Sequence, residues 1–209
     1  RDYSRELGAV VYNATAKGIG PSRRQLYSHV EDWITHQSNL TMPPDVVFWI
    51  EPEKDDIIRF IPEIIVPIIS GKDQIVVPSR TEYAWESYPK FQRASERTAN
   101  MVYKFATGLD VDIFFGPVAF HRDMLKYFRD CKPSVYGAAD TYLQHYAPVV
   151  ARKMGNRVSS VNLDFRYTAT QREAEEGLDL KTMVERRNEQ LETLVDGYFK
   201  ISRHLDLRR

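Results

Sequence analysis

Asp45-Val46-Val47-Phe48-Trp49-Ile50-Glu51-Pro52-Glu53-Lys54 is the stretch on which the reading of this chain turns. Val46 to Ile50 is an unbroken apolar run, β-branched and aromatic, of the kind a strand buried on both faces requires. Pro43-Pro44 breaks the chain before it, and two carboxylates one residue apart follow it, with Pro52 fixing the backbone between them. Asp55 and Asp56 then open a helix, where free N–H groups and the positive dipole end favour acids. Pro62 and Pro67 are expected to kink or shorten that helix.

The same alternation extends outward from this stretch. Upstream, Gly8 and Val10–Tyr12 read as a short strand, and Gly20-Pro21-Ser22 as a helix start. Leu26, Val30, Trp33 and Ile34 lie at i, i+4, i+7 and i+8 and form one apolar stripe. Downstream, Gln74 to Val77 reads as a strand, Ser79 to Pro89 as a polar and aromatic loop, and Lys90 to about Ala106 as a helix. Phe114 to Phe120 is a strand interrupted by Gly116-Pro117, and Asp140 to Met154 is helical despite Pro148. Val161, Leu163, Phe165 and Tyr167 alternate with polar residues as in a half-buried strand. A long carboxy-terminal helix, 178–205, closes the chain, with Met183, Val184, Leu191, Leu194, Val195 and Tyr198 on its apolar face. The expected fold is therefore α/β, one domain over 1–209, with a mostly parallel, Rossmann-like sheet flanked by helices. Ligands of such sheets bind beyond the carboxyl ends of the strands, which selects the loops after Tyr12, Ile50, Val77 and Tyr167.

Composition narrows the function. The 209 residues are 43% hydrophobic, enough for a sizeable core, and Lys plus Arg equal Asp plus Glu at 29 each. That balance argues against a general nucleic-acid or membrane-surface binder, so no nucleic-acid partner is expected. A single cysteine, Cys131, excludes an internal disulfide framework and a cysteine-only zinc site. No apolar run is long enough for a transmembrane segment, and no secretory leader opens the chain. The expectation is a cytoplasmic location, held with the further expectation that a chain beginning at Arg1 is a piece of a longer one.

Four features can carry chemistry. Glu51 and Glu53 can hold a hard divalent cation, because Mg²⁺ accepts one or two carboxylates together with phosphate oxygens and water. Locally, the same pair is equally a polar strand end leading into a helix. Lys17-Gly18-Ile19-Gly20-Pro21-Ser22-Arg23-Arg24 combines glycines, a helix start and three cations, which suits a diphosphate or else a plain turn. It is neither a P-loop nor a dinucleotide fingerprint. Gln92, Glu96 and Asn100 form a polar helix stripe, a pattern that more often faces solvent. Asp140 follows Gly137-Ala138-Ala139 and reads locally as a helix cap. The histidines form no zinc pattern, and no nucleophile elbow is present.

Taken in order, these features resemble a family 2-type nucleotide-sugar glycosyltransferase of the GT-A fold. The resemblance begins at Glu6-Leu7-Gly8-Ala9 and continues through Lys17-Gly18-Ile19-Gly20 and Arg23-Arg24. It reaches Glu51-Pro52-Glu53, Phe115 to Arg122, and the segment from Gly137 to Tyr167. It implies that Glu51 and Glu53 stand where the family's D-x-D motif binds metal, Mg²⁺ or Mn²⁺. It implies Lys17, Gly18, Arg23, Arg24, Lys54 and Arg80 on the substrate side, and Asp140 as the catalytic base of an inverting enzyme. Ala139 replaces the family's glutamate before that base, Tyr167 replaces an occasional histidine ligand, and the family's amino-terminal strands are missing from the 209 residues. Asp110-Val111-Asp112 is a literal D-x-D, but it precedes the wrong strand and reads as a loop.

The implied activity is sugar transfer from a nucleotide-diphosphate sugar donor to a hydroxyl acceptor. Two alternatives stand beside it: sugar-phosphate nucleotidyl transfer, and a non-catalytic interaction module built on the same fold. The Ser79–Pro89 loop, with Tyr83, Trp85, Tyr88 and Arg80, is either an acceptor-side lid or an aromatic loop packed on its own body.

Overall fold

A computed structural model describes residues 9–36, 44–168 and 180–207. Glu6 to Gly8, Pro43, the first residues of the expected last helix and the side chain of Met183 lie outside the described residues.

The helices are α1 (Ile19–His36), α2 (Ile61–Ile69), α3 (Glu82–Glu86), α4 (Lys90–Thr107), α5 (Leu125–Arg129), α6 (Leu143–Lys153) and α7 (Leu180–His204). The strands are β1 (Val46–Trp49), β2 (Ile75–Val76), β3 (Ser79–Arg80), β4 (Val118–His121), β5 (Val158–Ser159) and β6 (Asn162–Leu163). One sheet has the order β1-β4-β2-β5, and β3 pairs with β6 in a second. The class is α/β with a long carboxy-terminal helix, and the sheet is small and mixed rather than mostly parallel. β4 runs antiparallel to both β1 and β2, while β2 and β5 are parallel. β1, β2 and β5 therefore point the same way, and β4 alone opposes them.

Alternation along the strands sorts side chains into two cores. Val47, Trp49, Ile75, Val77, Val118 and Phe120 face a large core built with α1 and α4 to α7. Val46, Phe48, Val76 and Ala119 face a smaller one closed by Ile57, Ile64 and Ile68. The apolar run of β1 thus packs on both faces, as its composition requires, and its partial exposure comes from its place at the sheet edge.

Several local expectations need correction. Val10–Tyr12 is not a strand: the chain is irregular there, and the Tyr12 ring stacks on His29 with centroids 4.1 Å apart. Pro52–Phe60 forms 3-10 turns broken at Lys54, and the α-helix starts only at Ile61, where Pro62 suits the first turn. Pro67 sits inside α2, and its carbonyl accepts from Asp73 just after the helix end. The helix expected from Asp140 begins later, at Leu143. Val161, Leu163, Phe165 and Tyr167 do point inward, yet only Asn162–Leu163 is paired as strand, with β3.

Aromatic rings bind the larger core to the sheet. Phe120 is fully buried and stacks on Phe128 at 4.1 Å, and Tyr27 packs against both. Phe120→Ala empties the centre of this cluster. It is expected to lower unfolding stability by about 3–5 kcal/mol, read from the denaturant midpoint at unchanged slope.

Candidate functional site

Because β1, β2 and β5 share a direction, their carboxyl ends meet at one edge of the sheet. Past that edge the β2–β5 pairing continues, since Val77, Ser79 and Thr81 donate N–H bonds to Ser159, Val161 and Leu163. A cleft of about 360 Å³ opens there, within the size range of small-molecule sites. The segment after β1 contributes Glu51, Glu53 and Lys54, and the segment after β2 contributes Arg80 and Tyr88. Gln92 and Glu96 of α4 line one wall, and the Ile113–Gly116 turn before β4 lines the base. Tyr142, Gln144 and His145 come from the start of α6, Tyr167 from the segment beyond β6, and Arg187 and Gln190 from α7.

Buried charges frame this cleft. The Arg80 guanidinium donates to Asp112 through Nε (2.6 Å) and Nη2 (2.8 Å), and its Nη1 lies 2.8 Å from Glu96. Arg187 Nη1 is 3.2 Å from the other oxygen of Glu96, which also accepts from Gln92 Nε2 at 3.0 Å. Asn100 Nδ2 donates to Asp112 at 2.6 Å. Arg80 also stacks 3.5 Å over Trp85 and 4.6 Å over Tyr88. Burial works against its charge, but the fields of Asp112 and Glu96 prevail and hold the guanidinium firmly protonated. The polar stripe Gln92, Glu96, Asn100 therefore faces inward, with Glu96 only 2% exposed, contrary to the solvent-facing expectation. The Ser79–Pro89 segment packs on its own body: α3 forms within it and Trp85 and Tyr88 are buried, while Tyr83 stays exposed.

Glu51 and Glu53 both face the cleft and share one cation. Lys54 Nζ forms an ion pair with Glu51 Oε2 and lies 3.8 Å from Glu53 Oε1. Gly116, at φ +101°, makes room for this arrangement, since a Cβ there would stand 2.6 Å from Glu51 Oε2. Among the described residues no group of three or more His, Cys, Asp or Glu stands together as a metal site. Glu51 and Glu53 are the two carboxylates here that could serve a hard divalent cation, with the remaining oxygens coming from outside the chain.

The amino-terminal glycine loop has a different role from the one expected. Gly20 is buried against the 138–142 segment, and a Cβ on it would lie 1.8 Å from the Asp140 carbonyl oxygen. Arg24 makes two hydrogen bonds to the Asp140 carboxylate, at 2.8 and 2.5 Å, and a third to the Cys131 carbonyl. The bonds to Asp140 raise the Arg24 pKa against the cost of burial. Arg23 reaches toward the cleft, donating to Gln144 Oε1 at 2.5 Å and to the Thr141 carbonyl. Lys17 is exposed, and neither it, Gly18 nor Asp140 lines the cleft. Of the expected site residues, the structure brings together Glu51, Glu53, Lys54 and Arg80, and it places Arg23 beside them.

His145 is a cleft residue the sequence reading missed. It is 3% exposed, its Nδ1 is 2.6 Å from Tyr198 Oη, and its ring meets Phe114 edge-on. Burial, aided by the charge of Arg23, pushes its pKa down to about 3, so the imidazole is neutral at physiological pH. The helical periodicity of α6 marks it only as an inward position, because its partners come from α7 and the 113–116 turn.

Comparison with protein-family models, with curated proteins and with solved structures finds no match to this chain. Functional assignment therefore rests on the cleft itself.

Two predictions arise from these buried groups. Removing the Arg80 charge in Arg80→Met leaves Glu96 and Asp112 facing each other, and is expected to cost about 3–5 kcal/mol in denaturant unfolding. Adding Asp112→Asn is expected to recover part of that loss. The second concerns acid stability. The folded pKa of His145 lies below its unfolded value near 6.5, so the unfolded state takes up the proton first. Its contribution is complete above pH 6.5 and is lost as the pH falls from there toward about 3, by up to about 1.4 kcal/mol per unit. His145→Gln should unfold with a correspondingly flatter pH dependence across that window.

Proposed function

We propose that this protein transfers a sugar from a nucleotide-diphosphate sugar to a hydroxyl acceptor, with Mg²⁺ or Mn²⁺ held through Glu51 and Glu53. The observation that carries this reading is the convergence of both carboxylates on one cationic point, at the carboxyl ends of three co-directional strands. A divalent cation there supplies positive charge to the departing nucleoside diphosphate. The rest of the cleft suits a polyhydroxylated ring. Tyr142, Tyr167 and Phe114 offer aromatic faces, and Gln144 and Gln190 offer amides beside them. Gln92 Oε1 is enclosed without a hydrogen-bond partner, an acceptor that a sugar hydroxyl satisfies. Arg187, a fifth exposed on the α7 wall, adds a cation at the opposite end.

Asp140 serves in this reading as an anchor. Its carboxylate is occupied by Arg24, and the turn it fixes delivers Tyr142, Gln144 and His145 to the cleft. The same observation favours the second reading, a non-catalytic module that binds a sugar nucleotide without turning it over.

Glu53→Gln is expected to abolish metal-dependent turnover of the sugar nucleotide while leaving the thermal unfolding temperature within about 2 °C of the parent. Full activity in that variant removes the metal assignment. Asp140→Asn separates anchor from base: an anchor leaves kcat within a few-fold. A fall of about 10²-fold or more at constant donor affinity restores Asp140 as the base. Calorimetric binding of UDP- or GDP-sugars with Mn²⁺, but no turnover in any acceptor mixture, selects the module.

A further inference from the structure

Lys54 is the least expected member of the cleft, because a lysine has no obvious place beside two metal-binding carboxylates. Its backbone leaves the 3-10 conformation at φ −107°, ψ 39°, while its N–H still bonds the Glu51 carbonyl at 2.9 Å. This kink folds the side chain back onto the two acids that precede it. The side chain is only 12% exposed, and its ammonium contacts Glu51 Oε2 with Glu53 Oε1 3.8 Å away. Glu51 is confined from the other side by Gly116, where the missing Cβ leaves just enough room for its carboxylate. The acid pair is thus preformed around a cation the chain itself provides.

We infer that Lys54 is an internal counter-ion that occupies the divalent-cation position of the acid pair and is exchanged for the metal when the donor diphosphate enters. The inference rests on the transferase reading and deepens it. A metal ion and the Lys54 ammonium compete for the same oxygens of Glu51, so metal alone binds weakly. Displaced from the pair, the ammonium stays tethered to the residue next to Glu53 and finds its new partner in the phosphate oxygens of the donor. Each ligand then favours the other, since the metal frees the ammonium and the diphosphate accepts it. By linkage the coupling is the same in both directions. In the unliganded protein the exchange also has a protective side: two neighbouring carboxylates on one segment repel, and Lys54 relieves that repulsion without recruiting metal.

The test is Mn²⁺ titration of the intact chain, read by electron paramagnetic resonance of free Mn²⁺, with and without UDP and GDP, for the parent, Lys54→Met, Glu53→Gln and the double variant Lys54→Met/Glu53→Gln. Methionine keeps the length and packing of the stem and removes the charge. Without nucleotide, Lys54→Met is expected to bind Mn²⁺ roughly ten- to a hundredfold more tightly than the parent, the worth of one charge-assisted hydrogen bond. Nucleoside diphosphate should tighten Mn²⁺ in the parent but hardly at all in Lys54→Met. The gain should vanish in the double variant, which places it at the acid pair. Equal Mn²⁺ affinity in the parent and Lys54→Met, with binding lost in Glu53→Gln, overturns the exchange while leaving the metal site and the transferase reading standing. Absence of Mn²⁺ binding in both, with either nucleotide, overturns the two together. Circular dichroism of each variant confirms that the comparison is between folded proteins.

Discussion

A single buried guanidinium holds the working edge of this molecule together. Arg80 leaves the sheet at the end of β3 and meets Asp112 from the loop before β4, Glu96 from α4, and the ring of Trp85 from α3. This charge cluster ties β3, α3, α4 and the loop before β4 to one another at a single buried point. A buried arginine is tolerable only when its donors are met, and here two carboxylates and an aromatic face meet them. Glu96 passes the constraint on to Arg187 of α7, which brings the last helix against the cleft. The cleft walls are thus fixed by electrostatics, whereas the sheet beneath them is fixed by apolar packing.

That division explains how much could be read from the amino-acid order. Periodicity reports burial, so β1, α1, α4 and α7 were legible within a few residues, and so was the inward alternation of Leu163, Phe165 and Tyr167. Strand direction is set by pairing between distant segments, and nothing in Val118–His121 marks it as the strand that opposes its neighbours. The glycine loop shows a second limit. Gly18, Gly20 and the following arginines have the composition of an anion site, but composition does not distinguish a ligand from the chain's own Asp140, whose carbonyl and carboxylate fill that role. In the α4 stripe, polarity does not report exposure, because the arginines that pair with Glu96 lie on two other segments, β3 and α7. The acidic pair is legible as two residues at a strand end, and its proximity to Lys54 follows from a backbone kink that no local pattern announces.

Charge accounting ties the two ends of the cleft together. Glu51, Glu53, Glu96 and Asp112 make four carboxylates, and Lys54, Arg80 and Arg187 make three fixed cations. At the Arg80 end the charges balance, since Glu96 and Asp112 meet Arg80 and Arg187, and the groups are tightly hydrogen-bonded. At the Glu51 end two carboxylates share one ammonium. Excess negative charge is therefore localised where the pair is more open to solvent, with Glu53 half exposed. A balanced, enclosed network resists rearrangement because separating any member strands its partner. An unbalanced, accessible one does not. The cleft accordingly has a rigid, charge-balanced end and a more open end that carries an excess carboxylate. In the proposed transfer, negative charge builds up on the departing diphosphate, and the open end of the cleft, where Lys54 sits, is the side on which added positive charge would meet it.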